Sequence, residues 1–504
     1  MRQCRLACAV AGVALLAASL ATSAEVFEND TRETAYGIRI EFSRSVRITD
    51  YGREFSTQEP EGNSNEFVFT GGTVRNGGTF EVEWSPSSAK VRDYQWLSES
   101  DLMPPEPVLT ILTDLTYGMA PLAVPLEAVL TNGPADTVIP IEWQFGDGSS
   151  GSGAVVTHVY GEVGTFISTV SARLPDGTTV EAAVVICVSP LHVDSESGDD
   201  TTADGSEDSP FQTITQAAQR AAPGQALLIA PGIYNLVGGE AQKIEIPDSV
   251  SLVGRGAEVN VATSIMCLGS SIIQNVHVYG RVDCTLERGS AGDVWILDSS
   301  FTGGGMSLQG AGLICNGPSI DVQDCRFDNY TTAVAGWAGV VSLQRCDVGG
   351  SFCGVYTGEC EILLESCSIH DCYHGLAPSA GRTTVRGSVI RDNGMGLEIH
   401  GGSSSLIVIQ DSLITQNEVG IHALSSAALL DLGRGQFGGT GGNSFSGNKD
   451  YSIWDERPAY SGPIYAIGNT WDSPAARILE GPAHSYDPAR CYIENEGNSI
   501  IFSD

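Results

Sequence analysis

Five short segments in the C-terminal half of this chain are spaced too regularly for an ordinary globular fold. They read IDVQDCRF, VSLQRCDV, ILLESCSI, TVRGSVI and IVIQDSLI, and their pivots are Cys325, Cys346, Cys367, Ser388 and Ser412. The pivot spacings are 21, 21, 21 and 24 residues, and a second marker eight residues later (Ala333, Gly354, Gly375, Gly396 and Gly420) repeats them. Two independent markers in one register define a true repeat. Each unit holds two or three short alternating strands and no helix, so it cannot bury its apolar face alone. Stacking the units in parallel, about 4.8 Å apart, buries one continuous column. The expectation is a right-handed parallel β-helix, with repeats over about 250–450. IIQNVHV and DVWILDSSF are looser early turns carrying insertions.

A stack of coils has open ends, which present unpaired backbone groups. The one amphipathic helix in this β-rich chain lies just before the repeats, at about 211–222. Thr213 to Gln216 and Ser209 to Gln212 each offer a capping box, and Pro223-Gly224 stops the helix. Ile214, Ala217, Ala218 and Ala221 form a narrow apolar stripe suited to lie on the first coil as a lid. The segment SPFQTITQAAQRAAPGQALLIAPGIY and the later IGNTWDSP…DPARCYI (Ile467 to Ile493) resemble the opening and closing segments of pectin-lyase-like β-helix proteins, many of them exported and of unassigned function. The resemblance covers about 191–504, the closing segment falling at about 460–504.

Two smaller β units precede it. Residues 25–103 alternate in strand fashion with turns such as RNGG, which reads as an antiparallel sandwich, and MPPEPV is a stiff linker. In residues 108–190, Trp143-Gln-Phe145-Gly146-Asp147-Gly148 is followed by THVYGEVGTF (Thr157 to Phe166). Trp143 and Phe145, two apart, share a strand face. Gly146 to Gly148 make a turn that a Cβ would obstruct, and Tyr160 and Phe166 are expected to fill the opposing sheet. This pair of motifs resembles a PKD domain, an immunoglobulin-like sandwich whose motif residues are structural. The fold class is therefore all-β: sandwich, PKD-like sandwich, then β-helix with an N-terminal capping helix. Asp147 is read as a turn former in preference to a calcium ligand. The acidic stretch DSESGDDTTADGSEDSP (Asp194 to Pro210) is read as a solvated link, with weak calcium binding as the lesser reading, since its spacing does not match the calcium-binding helix–loop–helix pattern.

The chain opens with Arg2 and Arg5, an apolar run from Leu6 to Leu20, and small residues ending at Ala24. That is the layout of a secretory signal peptide, residues 1–24, and implies a secreted or surface-located protein without membrane insertion. Asp and Glu number 61 against 26 Lys and Arg, a net charge of −35. Such a surface excludes nucleic acid as a partner and repels polyanionic glycans unless cations bridge the two. The chain is expected to be monomeric. Cys325, Cys346 and Cys367 should form a buried reduced ladder, while Cys353, Cys360 and Cys372, nearer turns, are the better disulfide candidates.

Enzymes of the resembled fold cut sugars in a groove along one sheet, using calcium-holding carboxylates or paired aspartates. Their motifs do not carry over. In DVWILDSSF, Leu297 stands where pectate lyases have an acid and Asp298 where they have a histidine, and the polygalacturonase set is absent. Trp295 is then a packed or surface aromatic. Register analysis leaves one constellation: Asp371 stacks with Asp392 and His370 with Arg391, and His374 is near in sequence. These could act on a sugar acid, with Asp371 and Asp392 as calcium positions, or could equally form a solvated turn with ion pairs between coils; no other cofactor is implied. Glu398 and His422 form a second stacked pair, on an outward row with Tyr356, suited to binding. The reading is a module that binds or is displayed against extracellular polysaccharide. The alternative is a polysaccharide lyase or glycoside hydrolase acting on an acidic glycan.

Overall fold

The structure, a computed structural model, describes residues 23–28, 37–97 and 107–480 apart from internal stretches of six residues or fewer, and residues 500 and 501. The expected signal peptide up to residue 22 and much of the closing segment lie outside the described residues. No helix among the described residues is long and apolar enough to cross a membrane.

In the N-terminal unit, one long strand, Gly37–Tyr51, organises an antiparallel sheet. Its first half pairs with Asn63–Thr70 and Val91–Leu97, and its second half with Thr79–Ser85. Bulges interrupt the register at the changeover, and the described strands of this unit pair into one six-stranded sheet. Phe42 meets Trp84 at a ring separation of 5.0 Å and Phe69 meets Phe80 at 5.1 Å.

The PKD-like sandwich has the expected core. Trp143 and Tyr160 are fully buried. The Trp143 indole donates to the Gly153 carbonyl at 2.8 Å, and the Tyr160 hydroxyl donates to Phe145 O at 3.1 Å. Gly146 has φ +80°, and a Cβ there would lie 2.6 Å from Ile167 O, so the motif glycine is a steric requirement. Asp147 is a turn former: it accepts from the Ser149 amide and hydroxyl and pairs with His158 Nε2 at 2.7 Å. Burial works against its charge, but these hydrogen bonds prevail and hold the carboxyl down at about 2. One expectation is corrected. Tyr160 does lie in the sheet opposite Trp143, but Phe166 is on Gly164–Arg173, which pairs with the Trp143 strand itself. Phe166 reaches Tyr160 by stacking across the core at 4.9 Å.

The parallel stack begins at Leu191–Val193, which pairs with Ala226–Ile229. Each later coil has three strands. Ser368–His370 (wall one), His374–Pro378 (wall two) and Gly381–Arg386 (wall three) make one turn. Among the described residues, walls two and three join into a 22-stranded sheet through continuous strands such as Thr332–Gln344, and wall one forms an 11-stranded sheet. Inward Val, Ile, Leu and Phe side chains merge into one core running from Val193 to Ala466.

The pivots occupy the corner between walls three and one. Cys325, Cys346 and Cys367 are buried thiols that donate to the carbonyl two residues back, at 3.2, 3.3 and 3.4 Å, and to one on the preceding coil. Ser388 and Ser412 donate in the same way to Arg386 O and Gln410 O. Each also accepts the pivot amide of the coil before, Cys367 N at 3.0 Å and Ser388 N at 3.2 Å. Asn443 and Asn469 continue the column. Cys353, Cys360 and Cys372, expected as disulfide candidates, are also free buried thiols, like every described cysteine. Burial pushes Cys325 and Cys353 up to about 12, which keeps them unreactive.

The second marker marks a close approach. A Cβ on Gly354, Gly375, Gly396 or Gly420 would lie 2.5, 2.7, 2.5 and 2.5 Å from the carbonyl oxygen of the next coil.

Helix Ile214–Arg220 caps the first coil, burying Ile214, Ala217 and Ala218 in the same core. Thr213 accepts from the Gln216 amide, as a capping box requires. The reciprocal bond comes from elsewhere: Asp200 accepts the Thr213 amide, and buried Glu240 accepts the amides of Ile214 and Thr215. The acidic stretch is mostly exposed, as a solvated link would be, but ordered by its own side chains. Asp194 and Asp199 fold back onto amides two residues on, at 2.9 and 2.8 Å, and Asp204 does the same. Beyond the lid, Val185 and Cys187 of the PKD-like unit pack on Leu228, Val253, Ile272 and Leu297, outward residues of wall three, with Trp295 against them.

Two substitutions separate the two columns. Gly396→Val should cost about 3 kcal/mol or prevent folding, because the Gly420 carbonyl cannot yield without breaking its ladder. Cys346→Ser, which installs the atom already used at Ser388, should change stability by less than about 1 kcal/mol. Urea denaturation followed by tryptophan fluorescence compares the two, and equal effects would contradict the corner assignment.

Candidate functional site

The corner between walls one and two takes left-handed backbone on six successive coils, and this decides the fate of the first candidate cluster. Asp371 (φ +52°) and Asp392 (φ +55°) are those corner residues. Asn329, Gly350, Gln416 and Gly447 hold the same place on other coils with φ between +56° and +65°. Asp and Asn tolerate this region better than other side-chain-bearing residues. The stacking is as expected, with His370 paired to Arg391 on adjacent strands. The charges are satisfied locally: Arg391 reaches Asp392 at 2.7 Å, and His370 reaches Asp371 at 2.7 Å and Asp347 at 2.9 Å. His374 does not join them. Its ring lies on wall two, against Glu398.

That placement follows from the glycine column. In His374–Pro378, Leu376 enters the core, although it is two residues from outward His374. Alternation breaks at Gly375, so His374 and Ala377 both face outward. The same break at Gly396 turns Glu398 outward between core residues Leu397 and Ile399. The resulting row runs Tyr356, Ala377, Glu398, His422 and Trp454 on successive coils. Tyr356, Glu398 and His422 therefore share the row the repeat predicts.

Around Glu398 the structure assembles imidazoles from three places. His374 Nδ1 lies 2.6 Å from its Oε2, His400 Nε2 lies 2.7 Å from the same oxygen, and His422 Nδ1 lies 3.4 Å from Oε1. His422 Nε2 meets Glu456 at 3.2 Å and its ring stacks on Trp454 at 4.2 Å. The Glu398 and His422 side chains are only 10% and 7% exposed, whereas His400 is 54% exposed. Burial lowers His374 below the ordinary histidine value and outweighs the opposing pull of Glu398, so its ring favours the neutral form. Among the described residues, the donor atoms of His374, Glu398 and His400 are one group that could hold a metal, all within 4.8 Å of one another.

Aromatic rings surround this cluster. Phe352 and Tyr373 stack in parallel at 5.1 Å and 7°, and both meet the His374 ring edge-on. Trp337 packs on Tyr356 at 5.0 Å. Trp337, Phe352 and Tyr373 are 49%, 41% and 55% exposed. His400 and Glu456 carry no repeat marker and follow the ends of wall-two strands, but each lies two residues beyond a member of the outward row, Glu398 and Trp454, and that same-face spacing is the signal that could have found them.

The architecture is that of a modular protein, a PKD domain followed by a right-handed parallel β-helix of unassigned function. Residues 105–188 match the PKD domain family, and residues 196–278 and 355–477 match a family described as a protein of unknown function, DUF1565. Among solved structures, the chain is similar to XylC in complex with xylose (9% identity over 56% of this chain and 69% of that one, TM-score 0.35). It is also similar to the pectin methylesterase of Aspergillus niger (15%, 59% and 90%, TM-score 0.32) and to a rhamnogalacturonan lyase (11%, 58% and 85%, TM-score 0.29). No curated protein matches the chain in sequence.

If Asp371 and Asp392 serve the corner, Asp371→Asn should change stability by less than about 0.5 kcal/mol, and Asp371→Val should cost about 1–2 kcal/mol. Thermal unfolding of both variants checks this. Equal tolerance of Asn and Val would remove the conformational explanation.

Proposed function

We propose that this protein is exported and binds extracellular polysaccharide along wall two of its β-helix. The observation that carries the reading is the pair of aromatic platforms, Phe352 with Tyr373 and Trp337 with Tyr356, on neighbouring coils around a polar cluster. A pyranose ring has an apolar face that packs on an aromatic ring and a rim of hydroxyls that need hydrogen-bond partners. Exposed aromatic faces supply the first, and Glu398, His400 and Glu456 supply the second. Folded monomers rarely keep several large aromatic rings in water without a use for them. The leader-like residues 1–24 support export, and the charge of −35 favours neutral glycans or acidic ones bridged by cations.

A second reading, cleavage of an acidic glycan by a lyase or hydrolase, is favoured by one observation: a nearly buried carboxylate, Glu398, in contact with three imidazoles. One experiment separates the two. The purified protein is applied to a glycan array and, in parallel, incubated with uronate polymers and calcium. Binding predicts retention without product, weakened about tenfold by Trp337→Ala or Tyr373→Ala, each worth up to about 1.5 kcal/mol. New ultraviolet absorbance from unsaturated ends, or new reducing ends, would replace binding by catalysis. No retention and no product would overturn both.

A further inference from the structure

We propose that His374, Glu398 and His400 bind a divalent transition metal of the zinc type, with His422 as a fourth donor from the next coil. Hydrogen bonds that ought to be present at this cluster are missing. Two imidazole nitrogens, His374 Nδ1 and His422 Nδ1, are buried without a hydrogen-bond partner. Yet they lie 2.6 and 3.4 Å from the two oxygens of Glu398. The approach is close but off the line along which an N–H donates.

His422 makes the case sharper. Its side chain is more than nine-tenths buried, and its Nε2 is within hydrogen-bond distance of Glu456. In the neutral ring that a metal would bind, an Nε2–H donated to that carboxylate leaves Nδ1 with a bare lone pair, facing an anionic oxygen. Lone pair against carboxylate is repulsive, and a buried polar atom left in that state costs about 1–3 kcal/mol. A cation between them converts both contacts into attraction. A carboxylate that holds a histidine by one nitrogen so that the other can ligate is the usual outer support of a metal-binding imidazole.

The donor set selects the metal. Calcium takes six to eight oxygens, whereas three imidazoles and one carboxylate suit zinc and its neighbours. Tetrahedral zinc places donors about 3.3 Å apart. His400 Nε2 and His374 Nδ1 stand 2.7 and 2.6 Å from Glu398 Oε2, so small side-chain rotations would open the space. The half-exposed His400 leaves a path for the ion to enter. Its position after a strand end lets it swing toward Glu398 without moving the stack.

This inference does not depend on glycan binding, and its test uses metal alone. The full-length protein, stripped with chelator and dialysed, is titrated with zinc chloride by calorimetry, and bound zinc is counted by mass spectrometry. About one tight zinc per chain is expected. His400→Ala, exposed enough to leave the fold intact, and Glu398→Gln should each weaken binding at least about tenfold. His370→Gln, at the other histidine–aspartate cluster, should leave it unchanged. Circular dichroism of each variant shows that the fold persists. Absence of stoichiometric zinc, or full-strength binding by His400→Ala and Glu398→Gln, would overturn the proposal.

Discussion

Every coil of the β-helix must set its backbone directly over the one before it, so that each strand finishes its hydrogen bonds on its neighbours. Regular strands meet this demand with almost any apolar sequence, but corners do not. At a corner the chain turns out of the ladder, and amides and carbonyls lose their partners. Here two side-chain columns satisfy them. One is the file of Cys325, Cys346, Cys367, Ser388, Ser412, Asn443 and Asn469. The other, where wall one meets wall two, passes through Ser351, Asn393, Asn417 and Asn448, and each of these accepts an amide from the preceding coil. Thiol, hydroxyl and amide are interchangeable there because the corner needs a short polar atom, not a particular residue.

The same demand builds the candidate site. The glycine column lets coils approach closely, and its price is a break in alternation that turns His374 and Glu398 to one face. Once coils are in register, residues far apart in sequence meet: His374, Glu398 and His422 come from three successive turns. Ala377 keeps the row shallow between Tyr356 and Glu398. The outcome is a buried carboxylate in a cage of imidazoles, framed by exposed aromatics, on a rigid wall.

Most of the architecture was legible because it rests on period. The pivots and the glycines announced the stack, and the narrow stripe of Ile214, Ala217 and Ala218 announced the lid. Chemistry was less legible. Asp371 and Asp392 repeat at 21 residues, which suits a paired site and a solvated turn equally, and their positive φ values report the turn. His374 was grouped with His370 by closeness in sequence, whereas Gly375 carries it to another wall. Cys353, Cys360 and Cys372 looked available for bridges, yet all three are buried thiols. His400 and Glu456 lie just past strand ends, where only the two-residue spacing from Glu398 and Trp454 points to them. The acidic stretch before the helix is solvated, as its composition suggests, but its aspartates also form turns and a cap that composition does not reveal.

Equivalent residues of successive coils lie in single file along each wall. Val340, Glu361, Arg382, Leu406 and Leu429 are partners on five successive coils of wall three, and Val340 and Leu429 are exposed. The described native cysteines are all buried, so spin labels at Val340→Cys and Leu429→Cys can be read once Cys4, Cys8 and Cys491 are replaced by serine. Four coil spacings predict a narrow distance distribution centred near 20 Å. A broad distribution, or one centred beyond about 30 Å, would mean that the coils are not stacked in this register.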